Sequence, residues 1–206
     1  VAAKLGSKDP VTNHRLRAAI ESAKNANMPK DNINRAISKS DISKDHNFEN
    51  LRYEGFGPKN IAIIIETLTD NKNRTAGAIR TTLQKFGGNL GSSGSTTHFF
   101  DNCGIIQISN EKISEEKALD FAATVGAKDC YSQKEFQEII TKKEDFYKVK
   151  NEAEKIVKKL FYSGIEWRPK NLISLKKKEA SEFESMLELL QENDDIQNVF
   201  HNCNLL

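Results

Sequence analysis

Apolar residues at three- and four-residue spacing open the chain. Leu16, Ala19, Ile20 and Ala23 form one such stripe, and Ile33, Ala36 and Ile37 form a second after Pro29, a residue suited to a first helical turn. Two short helices are therefore predicted, with a further helix expected to end at Lys4-Leu5-Gly6 before them. The stretch 38–50 is polar and aperiodic and reads as a linker. From Leu51 strands and helices alternate. Ile61 to Thr67 is β-branched and apolar at consecutive positions, the mark of a strand buried on both faces. Thr69-Asp70-Asn71 supplies caps for a helix with Ala76, Ile79, Leu83 and Phe86 on its apolar side, stopped by Gly87-Gly88. Glycine and serine dominate 87–95, and Thr96 to Phe100 reads as a strand.

The next segment has a recognisable order. Ile105, Ile106 and Ile108 predict a strand, and Ser114 caps a helix carrying Leu119, Ala122 and Val125 that ends at Gly126. Two short strands follow, Asp129 to Ser132 and Phe136 to Thr141. Thr141 and Glu144 are spaced as a capping box for a stripe of Phe146, Val149, Ala153, Ile156 and Leu160 ending at Gly164, before a last strand from Ile165 and Trp167. The order β-α-β-β-α-β is the split, ferredoxin-like arrangement. A further helix with Ala180, Phe183, Leu187 and Leu190 and a strand Ile196 to Phe200 exceed what that unit needs, and they are assigned back to the preceding sheet. The predicted fold class is α+β with three domains: a helical N-terminal domain (1–42), a discontinuous α/β middle domain (51–102 plus 176–206) and an inserted ferredoxin-like domain (103–175).

Composition excludes several classes. The longest aliphatic run, Ile61 to Ile65, is far short of the roughly 20 apolar residues that cross a bilayer, so no membrane partner is expected. Val1 follows no initiator Met and opens no signal-peptide pattern, so the natural chain is expected to begin upstream. Cys103, Cys130 and Cys203 are odd in number and widely spaced, which fits a reducing compartment: the cytoplasm, or the mitochondrial matrix if the source is eukaryotic.

Candidate chemistry is sparse. His14, His46, His98 and His201 occur singly, no Cys-x-x-Cys exists, and His201 with Cys203 alone does not close a tetrahedral site, so no metal, cofactor or catalytic residue is assigned. In 111–159, 11 acids face 11 bases, the pattern of solvated helix faces. The loop 87–95 could cradle a phosphate, and Gly91-Ser92-Ser93-Gly94 has the spacing of a backbone-clamping KH loop. It lacks a P-loop ending, however, and precedes a strand, so a turn or surface-contact loop is favoured.

Charge placement is more telling than the net charge of +2. Residues 1–42 hold eight bases against four acids, and 71–85 hold Lys72, Arg74, Arg80 and Lys85 with no acid. Glu179 to Asp195 holds seven acids and no base. A basic N-terminal half is expected to contact phosphates through Arg15, Arg17, Lys24, Lys30, Arg35, Lys72, Arg74, Arg80 and Lys85, with the acidic C-terminal helix facing away or repelling misplaced nucleic acid.

Several strings are distinctive: Val1-Ala2-Ala3-Lys4-Leu5-Gly6, Asn13-His14-Arg15-Leu16-Arg17, Asn27-Met28-Pro29-Lys30-Asp31-Asn32-Ile33, Tyr53-Glu54-Gly55-Phe56-Gly57-Pro58, Thr69-Asp70-Asn71-Lys72-Asn73-Arg74-Thr75, Gly87-Gly88-Asn89-Leu90-Gly91 and Gln197-Asn198-Val199-Phe200-His201-Asn202. Together they closely resemble the YebC/PmpR family over nearly the whole chain. The resemblance implies three α/β domains around a cleft and a non-enzymatic regulator. Such members bind DNA in transcription regulation, while mitochondrial relatives activate translation and bacterial ones are linked to ribosomes. It implies a nucleic-acid partner, either DNA or rRNA/tRNA on the ribosome, and no small-molecule substrate; oligomeric state is left open. It also implies a further basic N-terminal segment with a Gly-His-Ser-Lys-Trp motif. Lys30 and Arg74 are the signature residues expected to touch a polyanion. Ser95-Thr96-Thr97-His98-Phe99-Phe100 departs from the more apolar run of many bacterial members and is similar to the mitochondrial branch.

Overall fold

The computed structural model describes the chain apart from residues 1, 4, 5, 26, 27, 29, 39–47 and 206, and gives no side-chain placement for 21, 22, 24 and 25. Lys4 and Leu5 of the expected helix end, the place of Pro29 and most of the 38–50 linker therefore lie outside the described residues.

Two helices, α1 (His14–Asn25) and α2 (Lys30–Ser38), form the N-terminal part. Asn13 caps α1: its Oδ1 accepts the Leu16 N–H at 3.0 Å while its Nδ2 donates to the carbonyls of Ala2 and Ser7. Leu16 and Ile33 are buried, whereas Ala19 and Ala36 are exposed, so the pair closes only part of its apolar stripe.

In the middle domain, β1 (Glu49–Phe56) and β2 (Ala62–Thr69) pair antiparallel, β3 (Asn89–Leu90) adds to β1, and β9 (Ile196–His201) adds to the other side of β2. The return of the C-terminal segment to this sheet is thus as the sequence predicts. Side chains alternate across a strand, so β2 faces two cores. Ile61, Ile63 and Ile65 pack under α3 (Lys72–Lys85) and α6 (Lys177–Gln191), against Ile79, Leu83, Phe183, Met186 and Leu190. Ala62 and Ile64 pack against Phe100 and Trp167 of the inserted domain. Burial on both faces explains the unbroken apolar run.

The inserted domain comprises β4 (Phe100–Ser109), α4 (Glu115–Val125), β5 (Asp129–Ser132), β6 (Phe136–Lys142), α5 (Phe146–Ile156) and β7 (Tyr162–Pro169). Its strands run antiparallel in the order β5-β6-β4-β7, the ferredoxin-like order, and α4 and α5 cover Ile106, Ile108 and Ile139. Ser114 caps α4, and Gly126 ends it with φ 70°, a left-handed conformation that favours glycine.

Four local expectations are corrected. Thr97–Phe99 is a 3-10 turn instead of a strand, and Phe100 already begins β4 opposite Pro169, three residues before the expected boundary at 103. A two-residue strand, β8 (Ile173–Ser174), pairs in parallel with β10 (Cys203–Asn204), so 173–175 belongs with the C-terminal segment rather than the insertion. Thr141 stays in β6, because the ladder to β4 continues to Cys103↔Lys142; α5 starts at Phe146 after a 3-10 turn, and the predicted capping box does not form. Leu119 and Ile156 are 59% and 54% exposed, since Ala118, Phe121 and Ala122 carry the buried face of α4, and α5 ends at Ile156 with β7 beginning by Tyr162.

Candidate nucleic-acid interface

The nine basic residues divide by what they already hold. Arg15, Lys30 and Arg35 are exposed on α1 and α2, and Lys72, Arg80 and Lys85 are exposed on α3. Lys24 lies in α1, but its side chain is outside the described set. Arg17 turns back on its own chain: its Nε and an Nη donate to the carbonyls of Pro10 and Val11 at 2.9 and 2.7 Å. Its guanidinium fastens the loop before α1.

Arg74 likewise has an internal role. One Nη lies 2.8 Å from Asp70 Oδ1 and 2.8 Å from Asp195 Oδ2. The same Asp195 oxygen accepts from the Thr75 hydroxyl at 2.7 Å and the Thr69 hydroxyl at 3.1 Å, while Asn71 caps α3 by accepting the Arg74 N–H. Burial alone would raise the Asp195 carboxyl; the hydrogen bonds from Arg74 and Thr75, with the Arg74 charge, outweigh it and hold the group below its usual range. The cluster ties the start of α3 to the turn before β9, 120 residues away in sequence. Asp195→Asn should therefore cost ~2 kcal/mol in urea denaturation, because it leaves the two hydroxyls and Arg74 facing an amide. An unchanged midpoint would remove this structural account of Arg74.

The serine- and glycine-rich loop also spends its donors internally. Glu54, 2% exposed on β1, accepts the backbone N–H groups of Gly94, Thr96 and Thr97 at 3.0, 2.9 and 3.0 Å and the Thr96 hydroxyl at 3.2 Å. Arg52 Nε approaches the same carboxylate at 3.3 Å. Burial pushes the Glu54 carboxyl up, but the backbone donors overcome it and bring it down to about 2. Backbone N–H groups of the kind that could cradle a phosphate already hold an anion of this chain. This geometry fits the reading of the segment as a turn and not as a phosphate cradle.

The acidic helix lies beside the basic one. α6 and α3 lie side by side on one sheet face, sharing the core of Ile79, Leu83, Phe183, Met186 and Leu190. Glu182, Glu184 and Glu188 are exposed on α6, the helix next to α3. His201 packs edge-on to Phe183 at 5.1 Å, and burial lowers its pKa. Cys203 is buried in the same core, and burial raises its thiol.

Sequence reasoning passed over one exposed group. His98 and Phe99 lie with ring centroids 4.0 Å apart and planes tilted by 38° on the 3-10 turn after the Glu54-held loop, and Phe99 meets Phe56 edge-on at 6.3 Å. The signal available in sequence was two aromatic residues directly after a polar loop, read instead as part of a strand. No helix of the described residues is long and apolar enough to cross a membrane.

Comparison with known proteins agrees with this architecture. Residues 1–42 match the TACO1/YebC protein N-terminal domain, and residues 48–203 match the TACO1/YebC second and third domain. A probable transcriptional regulatory protein of Pelagibacter ubique is 50% identical over 99% of this chain and 85% of its own length. Another of the same description from Zymomonas mobilis is 44% identical over 100% of this chain and 82% of its own. The crystal structure of a conserved hypothetical protein from Aquifex aeolicus is similar with a TM-score of 0.77, at 38% identity, covering 99% of this chain and 85% of that one.

Proposed function

This chain belongs to the TACO1/YebC family, and we propose that it is a non-enzymatic regulator of gene expression that contacts nucleic-acid phosphates through exposed bases of α1, α2 and α3. The observation that carries the proposal is the exposed set Lys72, Arg80 and Lys85 on α3, a helix without an acidic residue. Arg15, Lys30 and Arg35 extend the same chemistry in the N-terminal pair. Arg17 and Arg74 act within the chain and position the helices that carry the others. Transcription regulation, the role in the relatives' names, makes duplex DNA the preferred target.

Point-charge contact of this kind is indifferent to base sequence. The variant Lys30→Ala, Lys72→Ala, Arg80→Ala, Lys85→Ala should weaken binding by about 10- to 100-fold at low salt, equally on unrelated duplexes. Full affinity in that variant would remove the proposed face. The exposed His98–Phe99 pair favours a second reading, a ribosome-associated translation factor, since rRNA and tRNA offer unpaired bases. Co-sedimentation with ribosomes without enrichment of any duplex would favour that reading over the first.

A further inference from the structure

The loop between β3 and β4 is built to hold an aromatic pair at the surface. Glu54 fixes it from below through the N–H groups of Gly94, Thr96 and Thr97. Lys170 fixes it from the side: its N–H donates to the Phe99 carbonyl at 2.9 Å and its Nζ to the His98 carbonyl at 3.0 Å. The turn so held leaves His98 exposed and Phe99 37% exposed, with their rings 4.0 Å apart and 38° from parallel. The buried Glu54 carboxylate, whose donors come from this loop, sets the turn in that position.

The surroundings carry positive charge. Lys170, whose Nζ donates to the His98 carbonyl, and Lys128 approach Asp101 at 3.8 and 2.6 Å, two half-exposed ammonium groups on one carboxylate two residues after Phe99 in sequence. An exposed π surface beside a net positive charge is the combination that receives an unpaired base and its phosphate. A base inside a duplex cannot offer its face to such a ring pair.

We infer that His98 and Phe99 form a stacking platform for an unpaired nucleotide, with Lys170 beside it at the His98 carbonyl. This rests on the reading of the chain as a nucleic-acid contact, and it fails separately from it. Fluorescence anisotropy with the full chain and a labelled oligouridylate, its deoxyribose counterpart and a hairpin duplex RNA tests it. The double variant His98→Ala, Phe99→Leu, whose leucine keeps an apolar contact with Phe56, should bind at least one single strand about tenfold more weakly while its duplex affinity stays unchanged. Phe99→Tyr, which keeps the π face, should bind as the wild type does. Thermal melting of each variant reports folding independently. No loss on either single strand, an equal loss on the duplex, or no single-strand binding by the wild type overturns the platform. If the four-base variant of α2 and α3 loses binding while the ring variant does not, the platform alone falls. If the four-base variant binds normally, the broader reading falls.

Discussion

Replacing Glu54 by glutamine is expected to lower stability at neutral pH by about 3 kcal/mol, seen as a lower urea midpoint with an unchanged slope. The side chain is almost fully buried, yet three backbone N–H groups and a hydroxyl converge on it, and burial is outweighed so that the carboxyl is held to about 2. A glutamine would turn an NH2 group toward those donors and leave part of them unpaired. The pH dependence has a definite sign. The folded value lies below the unfolded value of about 4.3, so the contribution is complete above roughly pH 5 and is lost as pH falls toward about 2. Wild-type stability should drop through that window, and the glutamine variant should lack this part of the drop. A variant as stable as the wild type at pH 7 would show that the carboxylate does not hold the loop.

Gly88→Ala is the second large effect. A Cβ there would lie 2.3 Å from the Phe56 carbonyl oxygen, 3.0 Å from Gly57 Cα and 3.2 Å from the Leu83 carbonyl oxygen. All three neighbours are backbone, so none can rotate away. The end of α3 would have to separate from the end of β1, at a cost of about 3 kcal/mol or more. Gly77→Ala, in the middle of α3 with nothing within 4 Å of the added carbon, should instead stabilise by about 1 kcal/mol. Opposite signs at two glycines eleven residues apart would be read directly from their melting temperatures; destabilisation by both would contradict the packing described.

The elements legible in the sequence are those with a long apolar rhythm. The consecutive isoleucines of β2, the Ile79 and Leu83 face of α3 and the Phe183 and Leu190 face of α6 each followed from spacing, and together they returned the C-terminal segment to the middle sheet. The two-residue strands β3, β8 and β10 have no rhythm to read. Thr96 to Phe100 looked extended because its residues favour strands. The turn there is imposed by a carboxylate 42 residues earlier, which accepts the Thr96 N–H. For the candidate interface, sequence located the bases but not their partners. Arg74 stood in an acid-free helix, while its second carboxylate, Asp195, comes from the far end of the chain. Many signature residues prove to have structural work: Asn13 and Asn71 cap helices, Glu54 holds a loop, Gly88 admits a neighbouring backbone, and Asn202 accepts the Ala62 N–H at 2.8 Å.

The central claim is that exposed lysines and arginines of the first half meet phosphates as point charges. Its most direct test is the slope of log affinity against log salt for a B-form duplex, measured for the wild type and for the chain lacking Lys30, Lys72, Arg80 and Lys85. Counterion release predicts a steep negative slope in the wild type and a flattening of roughly 0.9 for each contacting base removed, so by about 3 to 4 in the variant. A slope that is shallow in the wild type, or equally steep in the variant, would contradict the assignment of this face.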